Sequence, residues 1–104
     1  MTETEINKVI AENLWTIRTN TFRVINGKKK IKLKHLTQTE VGKAMNCTFQ
    51  QIQKYEKGRN QISSAKLKIL ADYFEVPVQN MYVPIKTYYK EIENEIVPNV
   101  ALDN

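Results

Sequence analysis

The sequence predicts an all-α domain of five helices, followed by a short C-terminal helix or tail, with an inserted β-hairpin as one reading of the segment between the first two helices. Three observations carry that prediction. Apolar residues recur at three- and four-residue spacing in successive stretches. Caps and breakers fall between those stretches. The 104 residues suffice for one modest core but not for two. The domain is expected over residues 1–83, with the insertion at about 20–35 and the tail at 84–104.

Ile6, Ile10, Leu14 and Ile17 form the stripe of a first helix, from about Glu3 to Thr19, flanked by Val9 and Asn13. Thr2 or Thr4 caps it, and Glu3 and Glu5 lie near its positive end. Residues 20–35 break the pattern. Asn26-Gly27 is a strong hairpin signal, because a type I′ turn needs positive φ at both central residues. Pairing there would place Phe22 and Val24 on one face with Ile31 and Leu33, and Arg23, Lys28, Lys30 and Lys32 on the other. The competing reading extends the first helix through Thr21 and Val24 and leaves residues 27–35 as a loop; the residues leave both open.

From Thr37 the helical signals return. Glu40, three residues after Thr37, completes a capping box and opens a second helix with Val41, Ala44 and Met45 inward. Asn46 tolerates the left-handed conformation that the exit from this helix needs. Thr48 caps a third helix that runs to about Glu56, with Ile52 and Tyr55 inward, and Lys57-Gly58 ends it. Ser63 or Ser64 caps a fourth, striped by Leu67, Leu70, Ala71 and Phe74. Pro77 bars its continuation, and Val78–Tyr82 is a fifth helix of one or two turns, closed by Pro84. Ile85, Tyr88 or Tyr89, Ile92 and Ile96 are spaced for one more amphipathic helix before a frayed terminus.

Charge is unevenly spread. Residues 1–82 hold 14 basic and 7 acidic side chains, whereas residues 83–104 hold two lysines against four acids. A basic body fits a polyanionic partner. Lysine, isoleucine and asparagine, however, supply 34 of the 104 residues, a bias that an AT-rich genome also produces, so charge alone does not decide. The lysine run at 28–34 reads as a solvated face unless it touches a phosphate backbone. No stretch is long enough to span a membrane, and the acidic, polar start is neither a signal nor a transit peptide, so a cytoplasmic chain is expected. Cys47 has no partner for an internal disulfide, and together with His35 it is far short of a metal site, for which four ligands are usual. Cys47 reads as core. No nucleophile–base pair, phosphate loop or metal cluster appears, so neither an enzyme nor a cofactor is expected.

The segment QTEVGKAMNCTFQQIQKY, residues 38–55, is the most informative. Two helices crossing steeply need a small residue where their axes approach, and Gly42 fills that place. The turn needs a residue that accepts positive φ, which Asn46 does. Val41, Met45, Cys47, Ile52 and Tyr55 supply the small core between them. That leaves Phe49, Gln50, Gln53 and Lys54 on the outward face of the third helix, with Gln51 at its edge. Amides, an ammonium and an aromatic ring suit base edges in a major groove.

The run LTQTEVGKAMNCTFQQIQKYEKGRNQIS resembles the Cro and CI-type (XRE-like) helix-turn-helix family of bacterial and phage regulators. It shows that family's Leu-Thr-Gln opening, small residue, Asn turn, Thr cap, Ile, and aromatic-Glu-x-Gly close. Residues 36–82 are covered without a gap, as is the first helix through Arg18; the departure is the insertion between Arg18 and Leu36. The resemblance implies a five-helix, lambda-repressor-like DNA-binding domain. It implies that Gln38 contacts phosphate, that Thr48 and Gln50 begin the recognition helix, and that Phe49, Gln53 and Lys54 occupy its other reading positions. It further implies a buried structural ion pair between Arg18 and Glu56, and a phosphate-following loop at Lys57, Arg59 and Asn60.

The function so implied is that of a sequence-specific regulator of transcription on double-stranded DNA, a repressor acting as a homodimer on a palindromic operator. The alternative is an antitoxin or co-regulator that uses the same fold to hold a protein partner, with the acidic C-terminal tail as the binding segment.

Overall fold

The first four helices all start on a hydroxyl cap. The computed structural model describes residues 1–20, 22–25, 28–31 and 35–91. Thr2 opens α1 (Glu3–Thr19), Thr37 opens α2 (Gln38–Ala44), Thr48 opens α3 (Phe49–Glu56) and Ser63 opens α4 (Ser64–Tyr73). Each cap oxygen accepts the backbone N–H three residues on, at 3.0–3.2 Å. In α1 and α2 the bond is reciprocated, because Glu5 and Glu40 accept the cap residue's own N–H. Thr2 is thus chosen over Thr4, and Ser63 over Ser64.

The exits from α2, α3 and α4 share one device. A left-handed residue follows each helix: Asn46 at φ 54°, Gly58 at φ 70° and Glu75 at φ 58°. The next N–H then turns back to a carbonyl five residues earlier, from Cys47 to Gly42 (2.8 Å), Arg59 to Lys54 (3.0 Å) and Val76 to Ala71 (2.9 Å). This closure satisfies carbonyls that a helix end would leave orphaned. Asparagine and glycine announce such a turn; glutamate does not, since a left-handed non-glycine residue costs ~1–2 kcal/mol. Glu75 is held there by the burial of Val76 and by Pro77 beyond it. Glu75→Gly should therefore raise stability by about 0.5–1 kcal/mol, the strain relieved less the extra entropy of an unfolded glycine. A urea titration checks this, and an unchanged or lower midpoint would contradict it.

One core joins the helices. Ile10, Leu14 and Ile17 of α1 meet Val41 and Met45 of α2, Ile52 and Tyr55 of α3, and Leu67, Leu70 and Ala71 of α4. Phe74, Val76 and Met81 close it. Ala44, expected inward, is exposed: the buried side of α2 is centred on Val41, Gly42 and Met45, and Ala44 falls off that stripe. Val78–Tyr82, expected as the fifth α-helix, winds instead as a 3-10 helix. With Pro77 before it and Pro84 after, only a short tight segment fits, the setting in which 3-10 turns are used. Helix α5 (Ile85–Glu91) follows and sets Ile85 and Tyr88 into the same core. The expected continuation through Ile92 and Ile96 lies outside the described residues.

Asn13, expected to flank the stripe of α1, is 3% exposed and makes three tertiary hydrogen bonds. Its Nδ2 donates to the carbonyls of Met81 (2.9 Å) and Val83 (2.7 Å), and its Oδ1 accepts the N–H of Ile85 (2.9 Å). These are backbone groups that the 3-10 helix and the start of α5 leave unpaired. One side chain thereby fixes the end of the domain against its first helix.

Between α1 and α2, Phe22–Ile25 (β1) and Lys28–Ile31 (β2) pair antiparallel. The register sets Phe22 against Ile31, Arg23 against Lys30, Val24 against Lys29 and Ile25 against Lys28. Helix α1 stops at Thr19 and does not continue through Val24. Asn26-Gly27, Lys32 and Leu33 lie outside the described residues. The excursion returns to where it began, because the N–H of Leu36 donates to the carbonyl of Arg18 at 3.0 Å.

Candidate nucleic-acid interface

The pairing of α2 with α3 begins at Gly42. A β-carbon there would stand 2.7 Å from the carbonyl oxygen of Cys47, closer than side chains come to backbone. The close approach lets Cys47 donate to the Gly42 carbonyl while Asn46 turns the chain. Helix α3 then leaves the turn with Ile52 and Tyr55, 3% and 6% exposed, locked into the core. Its opposite side is free: Phe49, Gln50, Gln53 and Lys54 are exposed, and Gln51 is half-buried at the edge. Phe49 keeps 47% of its surface in solvent, so it is not a core residue.

The far end of α3 is tied to α1. The Arg18 guanidinium meets the Glu56 carboxylate through two bonds, Nε to Oε2 at 2.6 Å and Nη2 to Oε1 at 2.9 Å. Both side chains are largely buried. The third guanidinium nitrogen, Nη1, donates to the Leu36 carbonyl (2.9 Å), and Gln38 Nε2 donates to Glu56 Oε1 (3.1 Å). A planar fork with this many partners is the geometry in which arginine outperforms lysine. It fixes three things together: the C-terminal end of α3, the entry to α2, and the base of the strand pair.

Gln38 therefore sits half-buried at the first turn of α2, its amide engaged with Glu56. Thr48 caps α3; Lys57, Arg59 and Asn60 are exposed in the loop after it. An open, shallow hollow lies between the start of α3 and the start of α4, lined by Thr48, Gln51, Arg59, Asn60 and Lys66 among others. Lys66 is absent from the residues that the sequence singles out. Nothing local marks it, because its place depends on how the loop folds α4 back beside α3. Among the described residues, no three His, Cys, Asp or Glu side chains gather to hold a metal ion, and no helix is long and apolar enough to cross a membrane.

The helix-turn-helix family model matches residues 28–80, just over half of the chain. The chain belongs to the helix-turn-helix family of the Cro/CI (XRE-like) type. It is 42% identical over 43 residues to an HTH-type transcriptional regulator of Sinorhizobium medicae, a match covering 41% of this chain and 31% of that one. Another HTH-type regulator, from Sinorhizobium fredii, is 37% identical over 49 residues, 47% of this chain and 34% of that one. A transcriptional regulator in the ATPase CF(0) region of Rhodospirillum rubrum is 40% identical over 47 residues, 45% of this chain and 44% of that one. The match thus spans less than half the length of these relatives. No solved structure gives a significant match. The strand pair, by contrast, is set into the helix-turn-helix frame without breaking it, since residues 18 and 36 stay hydrogen-bonded.

Proposed function

We propose that this helix-turn-helix protein is a transcriptional regulator that binds double-stranded DNA in the cytoplasm, with α3 lying in the major groove. The exposed face of α3 carries the reading: Phe49, Gln50, Gln53 and Lys54 project from a helix whose other side is locked by Ile52, Tyr55 and the Arg18–Glu56 pair. Gln50 reads a base edge, with Gln53 and Lys54 beside it and Phe49 placed for a thymine methyl. Gln38, Thr48, Gln51, Lys57, Arg59 and Asn60 hold phosphates and set the register. The relatives' names, all regulators, favour this over a module that holds a protein partner.

One such module buries only ~600–1,000 Å² on DNA, which favours two copies on a palindromic operator, and repression by occupancy of that site. Selection by the full chain from a pool of random duplexes tests this. The enriched sequence should contain two inverted half-sites about 10 base pairs apart, centre to centre. Sedimentation should show two chains per enriched duplex. No enrichment, or one chain per best site, would overturn the proposal.

A further inference from the structure

The strand pair between α1 and α2 breaks a rule of sheet energetics. Like charges directly across an antiparallel pair repel, yet the register sets Arg23 opposite Lys30. By the alternation of strand residues Lys28 shares the face of Arg23 and Lys30, while Lys29, paired with Val24, falls on the other. The chain holds no carboxylate from residue 13 to residue 39 to relieve this charge. A two-stranded ribbon is marginal alone even without such repulsion. Departures of this kind from local consistency mark places shaped by function.

The position of the ribbon narrows the partner. Its base is the Arg18–Leu36 backbone bond, one residue from the cap of α2 and beside the Gln38–Glu56 contact. It therefore springs from the same edge of the domain as the entry to the helix-turn-helix. Each strand spans about 13 Å at the usual rise per residue, slightly more than the ~10–12 Å diameter of a helix with its side chains. A polyanion running alongside α3 would convert the repulsion into attraction, and duplex DNA carries a negative charge every ~1.7 Å of axis.

We propose that the β1–β2 ribbon is a second DNA contact, which grips the phosphate backbone of the duplex beside the groove that α3 occupies. This rests on the DNA-binding reading above. It contributes affinity and salt dependence but no sequence preference, because lysine and arginine on phosphates carry charge information only.

The test compares the full chain with the variant R23Q/K28Q/K29Q/K30Q on the selected duplex and on a random duplex, at several salt concentrations. The log–log salt slope should fall by about 0.9 for each phosphate that is no longer neutralised, each worth about 3.5-fold between 50 and 200 mM salt. Both duplexes should lose affinity alike. The K28R/K29R/K30R variant should keep the parent slope, and R23Q should melt no lower than the parent, since it removes a repulsion. Footprinting should show backbone protection outside the α3 footprint in the parent and not in the glutamine variant. An unchanged slope together with an unchanged footprint would overturn the ribbon proposal while leaving the role of α3 intact. Failure of the parent to bind any duplex would overturn both. Loss of binding to the selected duplex alone would place the ribbon in base reading and overturn the proposal as stated.

Discussion

Asn13→Ala is expected to lower folding stability by about 3–5 kcal/mol, a large part of the ~5–15 kcal/mol that such a domain has. The side chain removed is small, so apolar burial does not explain the effect. Three backbone groups go without their partner at once: the buried carbonyl of Met81, the buried N–H of Ile85 and the part-buried carbonyl of Val83. Each orphaned group costs about 1–3 kcal/mol when water cannot replace the bond. Asn13→Leu is the informative companion. It refills the volume but restores none of the bonds, so it should be nearly as unstable as the alanine variant. Urea unfolding of both measures this, and a leucine variant as stable as the parent would show that packing, not hydrogen bonding, holds α5 in place.

Arg18→Met should cost about as much, ~3–5 kcal/mol, for a different reason. It leaves the Glu56 carboxylate largely buried without its cation, and it deprives the Leu36 carbonyl of a donor. The penalty is that of a stranded charge more than of a missing attraction. Arg18→Met/Glu56→Leu should accordingly recover part of the stability that Arg18→Met alone removes, a coupling of about 1–3 kcal/mol in a double-mutant cycle. Additive effects would mean that the pair contributes nothing as a pair. DNA binding should weaken in the single variant beyond what its melting explains, because the same carboxylate steadies Gln38 and the end of α3.

Where the structure is legible in the sequence, the governing physics is local. Thr37 with Glu40, Thr48 as a cap, Asn46 and Gly58 as left-handed exits, and the Ile52–Tyr55 spacing each act within one helical turn, so a short window of residues announces them. The outward face of α3 follows by subtraction once those inward residues are known. Asn13 escapes such a window for the opposite reason: an asparagine on a helix looks like surface until residues nearly 70 positions away supply unpaired backbone for it. Glu75 carries no local sign of its φ, because the tertiary burial of Val76 imposes it. Lys66 needs the packing of the loop ahead of α4. Arg18 and Glu56, 38 positions apart, are legible only through a family resemblance, since nothing in either neighbourhood points to the other.

Base reading by α3 is most directly open to test at Gln50. Its amide can serve adenine bidentately, a contact worth about 1–3 kcal/mol of discrimination, roughly five- to 150-fold. The deciding measurement is the affinity of Gln50→Ala for the selected duplex and for a random duplex, at one salt concentration and with the fold checked by thermal melting. Binding to the selected duplex should weaken by that factor while binding to random DNA stays nearly unchanged. Equal weakening on both would contradict the placement of α3 in the major groove.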